Sequence, residues 1–269
     1  MEKFIDRINK RLVYIQKEAT SNFWEEQWDS ADIEHEVRSK KIDFLVLPNT
    51  RKYLPPGSKI LEGGCGIGDY VYSLTKNGFD CIGIDFAEKT INKIKKIVPE
   101  VDVRVGDVRK LEFSDNFFDG YWSMGVIEHF FEGYDVILKE MRRVLRPGGY
   151  LFLTFPYMSS LRQIKSFLGL YPQIQDRTRP QNFYQFALNY KEVRDIFETN
   201  GFRLIHKIPF SGYKGLRDEI AVIECILKPI TNYKGSNVFI RGFRFFISVL
   251  FSRVSGHCIL LVFQKNNQN

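Results

Sequence analysis

Lys59-Ile-Leu-Glu-Gly-Gly-Cys-Gly-Ile-Gly68 decides the fold of this 269-residue chain. An apolar run passes straight into glycines, which reads as a buried strand ending in a tight turn. Within it Glu62, Gly64, Gly66 and Gly68 form the pattern E-x-G-x-G-x-G. Glycines at such a turn let a ligand approach the backbone with no Cβ in the way. A dinucleotide fingerprint, G-x-G-x-x-G, would place its third glycine at position 69, which is Asp69. Acids at the strand end and at the helix start repel a pyrophosphate and suit a ligand with an ammonium and no phosphate. Taken alone, the loop is also compatible with a glycine-rich turn that holds nothing.

The runs that follow narrow the choice. Phe79 to Asp85 (FDCIGID) ends in an acid placed to accept hydrogen bonds from ribose hydroxyls. Val101 to Asp107 (VDVRVGD) ends in another, which could accept from an exocyclic amine such as that of adenine. Phe118 to Met124 leads into Gly125-Val-Ile-Glu-His129, and Arg146-Pro-Gly-Gly149 turns the chain into Tyr150 to Phe155. Helices are expected after Gly68, Glu88 and Tyr134. Strands alternating with helices predict a Rossmann-like, doubly wound α/β fold: seven mostly parallel strands with helices on both faces. Open sheets of this kind bind ligands at the carboxyl ends of their strands, where these acids fall.

In this order, EGGCGIG, GID, GD, SMGVIEHF and LRPGG resemble the class I S-adenosylmethionine-dependent methyltransferases, in their small-molecule branch, over roughly Lys59 to Phe155. The resemblance implies S-adenosyl-L-methionine as cofactor and S-adenosyl-L-homocysteine as product. It implies that the loop of Glu62, Gly63, Gly64, Cys65, Gly66 and Gly68 packs against the methionine part. Asp85, with Phe86 beside it, would hold the ribose. Asp107 and Val108 would frame the adenine, and Ser123 and Met124 would lie beside the methionyl group. Arg38, on a helix before the first strand, matches a position that meets the cofactor carboxylate in such enzymes.

Composition fits one sizeable core: 44% of residues are apolar and 26% charged. Cys65, Cys81, Cys225 and Cys258 form no C-x-x-C pair and read as buried thiols in a reducing, cytoplasmic setting. No secretory leader opens the chain, and no uncharged run has the length of a membrane span. The net charge of +7 admits nucleic acid, an anionic substrate or a membrane surface as partner. Nucleic-acid base methylases of this fold usually carry Asn/Asp-Pro-Pro-aromatic after the fourth strand. Here Ser123-Met-Gly-Val126 stands there, which disfavours a nucleic-acid substrate.

Phe4, Ile5, Ile8, Leu12 and Ile15 recur at helical spacing, so residues 1–56 are expected to be a helical segment covering the cofactor site. Ser21 or Asn22 would cap one helix, and another would run from Ile33 to Lys52. Residues 57–269 form the methyltransferase domain, with a helix at Lys191 to Asn200 and strands at Arg203 to Phe210 and His257 to Gln264. Two insertions, about 157–190 and 211–256, are expected to be substrate lids, because long aromatic loops in compact domains are seldom disordered. Val238 to Gly256, with three arginines and no acid, would turn Phe243, Ile247 and Leu250 to one side. It reads as a helix over the active site, as a dimer contact, or as an interfacial helix touching an anionic membrane. Monomer and homodimer both remain open.

Methyl transfer from a sulfonium needs alignment, and a general base only when the acceptor is protonated. His129, just past the fourth strand, is the candidate base. His35 and Glu36 are weaker candidates. No residue cluster has metal-ligand spacing. The expected activity is transfer to an O, N or C atom of a small-molecule acceptor. A lipid-linked or nucleic-acid acceptor, a nucleotide-dependent oxidoreductase and a non-catalytic cofactor-binding partner are the alternatives.

Overall fold

A computed structural model describes residues 1–29, 32–39, 44–174, 178–225 and 238–267. Its centre is a seven-stranded sheet of β3 (Lys59–Gly63), β4 (Asp80–Asp85), β5 (Val103–Val105), β6 (Phe118–Met124), β7 (Leu145–Pro156), β9 (Phe202–Phe210) and β10 (Cys258–Lys265), in the order β5-β4-β3-β6-β7-β10-β9. Only β10 runs antiparallel to its neighbours, β7 and β9. The parallel strands bury both faces, which is why they read as near-continuous apolar runs. This is the sheet that the sequence predicts.

Alternate residues of each strand feed two cores. Ile60, Trp122, Phe152, Leu260 and Val262 meet the helices α2 (Ile33–Arg38), α3 (Val46–Tyr53), α4 (Asp69–Lys76) and α5 (Glu88–Ile97). Trp122 stacks on Phe152 at 4.4 Å and donates to Thr50 Oγ1 at 3.0 Å, which fixes α3 to the sheet. On the opposite face Leu61, Tyr121, Leu153 and Leu261 pack against α6 (Asp135–Val144) and α8 (Tyr190–Thr199).

The N-terminal segment departs from expectation. Residues 2–15 form a hairpin, β1 (Glu2–Asp6) with β2 (Arg11–Ile15), instead of a helix. Asp6 Oδ1 accepts from Asn9 N (3.1 Å), and Lys10 adopts φ +44°, so the turn has its own local chemistry. Ile8, counted in the apolar stripe, is 61% exposed at the turn. The hairpin is completed by β8 (Phe183–Ala187), whose pairing with β2 makes a second, three-stranded sheet. A periodicity of five residues cannot register a partner so far along the chain. Helix α1 (Ser21–Asp29) is present as expected, although its cap is Thr20, whose Oγ1 accepts from Phe23 N at 3.2 Å. The expected long helix over residues 33–52 is instead α2 and α3. Pro48 sits in the first turn of α3, where a missing N–H costs nothing.

The two insertions carry α7 (Ser160–Phe167) and β8 in the first, and α9 (Gly212–Glu219) and α10 (Val238–Ser255) in the second. A buried ionic cluster ties them together. Glu219 Oε1 accepts from Lys3 Nζ (2.9 Å) and Arg162 Nε (3.0 Å), and its Oε2 from Lys165 Nζ (2.9 Å) and Tyr171 Oη (2.6 Å). Arg162, fully buried, also donates to the carbonyls of Tyr157 (2.8 Å) and His257 (3.1 Å). Burial alone would raise the Glu219 pKa, but Arg162 and Lys3 outweigh it and hold the carboxyl down at about 2. Its contribution to stability is therefore present above pH 4.5 and is lost as the pH falls towards 2. Replacing Glu219 with Gln leaves Arg162 buried without its counter-charge. We expect a loss on the order of 3–5 kcal/mol in urea unfolding at pH 7, shrinking towards pH 2.

Candidate active site

The carboxyl ends of β3, β4, β5 and β6 meet at one edge, where a cleft of about 560 Å³ opens. Among the residues singled out in the sequence, Gly64, Gly66, Asp85, Phe86, Asp107, Val108, Met124 and His129 line it. Glu62, Gly63, Cys65 and Ser123 are not in its wall. Glu62, Cys65 and Ser123 are buried, and Gly63 backs onto Tyr121, which a Cβ there would meet at 2.1 Å. Gly68, another residue outside the wall, caps α4 at φ +72°. Arg38 does not reach the cleft: it pairs with Glu100 (2.5 Å) and Glu34 (3.3 Å), and so holds α2 to the end of α5.

The loop's shape is set by Asp85. Its Oδ2 accepts from Gly66 N at 2.8 Å and its Oδ1 from Ala87 N at 2.9 Å, while burial raises its pKa against these bonds. Gly64 takes φ +78°, and a Cβ there would lie 2.5 Å from Val126 Cγ2. The glycine is therefore demanded by the protein's own packing as well as by any ligand.

Glu62 lies on the sheet face beneath α4, accepts from Val71 N, and leaves Oε2 buried with no hydrogen-bond partner in the chain. Burial, with Asp69 and Asp85 adding to it, pushes its pKa well above the usual carboxylate range. Asp107 accepts from Arg109 through N (2.8 Å), Nε (2.9 Å) and Nη2 (2.7 Å). Burial would raise its pKa, but these bonds win and lower it. The cleft thus has Asp85 and Asp107 in its lining, with Glu62 buried behind the glycine loop and holding an unmet acceptor. That donor set fits a cationic amino-acid sulfonium joined to a nucleoside.

The cleft is also aromatic, with Trp24, Trp28, Phe130 and Phe131 in its lining. Trp24 stacks on Trp28 at 6.4 Å and meets the His129 ring edge-on at 5.3 Å. The two tryptophans are four residues apart in a helix, the spacing that puts side chains on one face. That spacing is the signal in the sequence for an aromatic face on α1, although it does not say what the face meets.

His129 sits in a short 3₁₀ turn (Ile127–His129) with its Nδ1 2.8 Å from the Tyr184 carbonyl of β8. A carbonyl only accepts, so Nδ1 carries the proton and Nε2 keeps its lone pair. Burial, opposed by that bond, lowers the pKa to about 4. Beside it Glu128 is buried with Oε2 unpartnered, and burial lifts its pKa to about 8. At neutral pH the pair is an uncharged imidazole and a protonated carboxyl.

Comparison with known proteins agrees with this geometry. Residues 61–153 match the family model described as "Methyltransferase domain". Over 176 residues the chain is 30% identical to demethylmenaquinone methyltransferase of Staphylococcus aureus, covering 58% of this chain and 72% of that one. This chain belongs to the class I S-adenosylmethionine-dependent methyltransferases. A Mycolicibacterium smegmatis protein named as a probable S-adenosylmethionine-dependent methyltransferase is 30% identical over 149 residues, 55% of this methyltransferase and 53% of its relative. The chain therefore spans about half the length of that relative. The solved PH0226 protein of Pyrococcus horikoshii superposes with a TM-score of 0.56 at 21% identity, over 90% of this chain and 99% of that one, which shows the shared fold.

The first insertion reaches this methyltransferase's cleft through Arg179 and braces His129 through Tyr184, whereas among the described residues none of those lining the cleft comes from the second. The reason is topological: α9 and α10 leave the sheet between β9 and β10, at the opposite end from β4 and β5, and α10 lines a separate groove with α2 and α4. Gly64→Ala is expected to cost about 1–3 kcal/mol of stability and to weaken S-adenosylhomocysteine binding about tenfold or more, by calorimetry. Glu128→Gln removes a carboxyl whose ionisation the fold resists. Wild-type stability should fall as the pH rises from 4.5 to 8, and the variant should recover on the order of 3 kcal/mol at pH 8, read from melting at both pH values.

Proposed function

We propose that this protein transfers a methyl group from S-adenosyl-L-methionine to an O, N or C atom of a small, ring-bearing apolar acceptor. The observation that carries the reading is the cleft itself, whose lining combines the strand-end acids Asp85 and Asp107 with Trp24, Trp28, Phe130 and Phe131. The cofactor supplies a sulfonium-bound methyl group, a good leaving-group arrangement that needs no covalent help from the protein. Glu62 keeps an acceptor oxygen unmet behind the glycine loop for a ligand's N–H, and Asp85 keeps Gly66 folded into the cradle. Trp24 and Trp28 exclude water and give a flat acceptor a surface to stack on. The demethylmenaquinone methyltransferase relative, whose name specifies a quinone acceptor, supports a ring-bearing acceptor here.

For a hydroxyl acceptor, His129 Nε2 takes the proton. Because its imidazole is neutral from about pH 4 upward, it is a ready acceptor across the neutral range but a weak base. It therefore suits a phenol or hydroquinone hydroxyl, whose own acidity does part of the work. The acceptor is held at the carboxyl edge of the sheet, and the reaction takes place inside the cell.

Calorimetric titration with S-adenosylhomocysteine and with NAD tests the donor. Tight binding of NAD alone would overturn the reading. Release of S-adenosylhomocysteine is then followed over a panel of hydroquinones, phenols and amines. His129→Gln should lower turnover of a hydroxyl acceptor on the order of 100-fold or more while S-adenosylhomocysteine affinity changes little. The wild-type rate should show no acid limb near pH 6.5, since the depressed pKa moves it to about 4. Turnover equal to wild type, or a limb at pH 6.5, would remove His129 from the mechanism.

A further inference from the structure

Helix α10 hides its small residues and shows its large ones. On its inner side, Ser248, Ser252 and Ser255 meet α9 backbone to backbone. A Cβ on Gly212 would lie 2.4 Å from Ser248 O, and one on Gly215 only 1.5 Å from Ser255 O. Ser255 Oγ also donates to Gly212 O at 3.0 Å. With that side filled by glycine and serine, the phenylalanines are left outside. Phe243, Phe246, Leu250 and Val254 recur every three or four residues and are all exposed, Phe246 to 61%. Helix α7, packed against α10, ends in Phe167 (87% exposed), Leu168 and Leu170. Soluble monomers rarely expose so many large apolar side chains along one helix face.

The charge of this region indicates which partner. From Cys225 to Asn269 the chain has no Asp or Glu, and ahead of β10 it carries Lys228, Lys234, Arg241, Arg244 and Arg253. Asp218 and Glu219 at the end of α9 are engaged by Lys214, Arg217, Lys3, Arg162 and Lys165, and Glu224 is the last acid ahead of this stretch. A second copy of the chain would bring the same positive surface to the same place, in a molecule of net charge +7. An apolar stripe flanked by arginines without acids is instead the composition of a helix that lies in the headgroup region of an anionic bilayer. Among the described residues no helix is long and apolar enough to cross one.

We propose that the α7–α10 face docks this protein on membranes containing anionic lipid, with α10 lying in the plane of the interface. The position suits delivery. Phe210 at the end of β9 and Cys258 at the start of β10 stand level with Pro156 at the end of β7, so the helix pair leaves the sheet at the edge that also carries the cleft. Docking turns that edge to the bilayer, and the acceptor is an apolar molecule resident in it. This last clause rests on the methyl-transfer reading; the docking does not.

Flotation of the purified full chain tests the proposal, using vesicles of phosphatidylcholine alone and of phosphatidylcholine with about one third phosphatidylglycerol. The wild type should float with the anionic vesicles and much less with the neutral ones. The double variant Phe246→Ser, Leu250→Ser should lose about tenfold or more of its partitioning. Its affinity for S-adenosylhomocysteine, measured in parallel, should match the wild type and so report an intact fold. Wild type that stays in the soluble fraction at low salt overturns the proposal. So does a wild-type dimer, by light scattering, that the double variant converts to monomer, because the face would then belong to a second copy. Failure to bind S-adenosylhomocysteine with flotation intact would sink the methyl-transfer reading and leave the docking standing.

Discussion

The fold of the cofactor edge depends on one carboxylate accepting two backbone amides. Asp85, at the end of β4, takes hydrogen bonds from Gly66 N on the neighbouring β3 loop and from Ala87 N at the head of α5. Loop, strand and helix are thereby set relative to one another before any ligand arrives. The loop can satisfy this constraint only with left-handed residues at 64, 66 and 68, all glycines here. Charge-assisted bonds of this kind are the strong ones, and their being buried explains why burial and backbone donors pull the Asp85 pKa in opposite directions.

The protein treats its buried acids in two ways. Glu219 has four donors around two oxygens and is ionised, and it stitches the hairpin, α7 and α9 into one body. Glu62 and Glu128 each keep an oxygen with no partner and resist ionisation. Unmet acceptors cost stability, on the order of 1–3 kcal/mol each, so they persist where a ligand supplies the missing donor. Both stand at the glycine loop or the 3₁₀ turn beside the cleft, not in the ionic cluster. The distribution separates residues that hold the molecule together from residues held ready for something else.

Much of this was legible in the chain because each strand of the central sheet carries its own signal: an apolar run, a terminal acid, a following helix start. Asp85, Asp107 and the glycine loop are legible that way, and the helix at Lys191 to Asn200 is marked by Gly201, which closes it. The failures share a cause. The hairpin at residues 2–15 depends on β8 for its third strand, and Arg38 depends on Glu100 for its direction, so neither can be read from neighbours in sequence. Trp24 and Trp28 were visible as an i, i+4 pair, but their place in the cleft wall follows from how α1 crosses the sheet edge. Val238 to Gly256 was correctly seen as arginine-rich and acid-free. Which side it shows depended on Gly212 and Gly215, two small residues in another helix.

The three-stranded sheet has a consequence for the order in which the molecule is assembled. β2 emerges first during synthesis, yet the strand that covers its open edge is β8, made after almost the whole parallel core. At ordinary ribosomal speeds that edge waits on the order of ten seconds or more. Unpaired edges are templates for wrong partners, and Arg11, at the start of β2, is a charge of the sort that blunts them. The nascent chain can thus form its cofactor cradle well before the carbonyl of Tyr184 arrives to orient His129. The glycine cradle is in place before the histidine beside it is oriented.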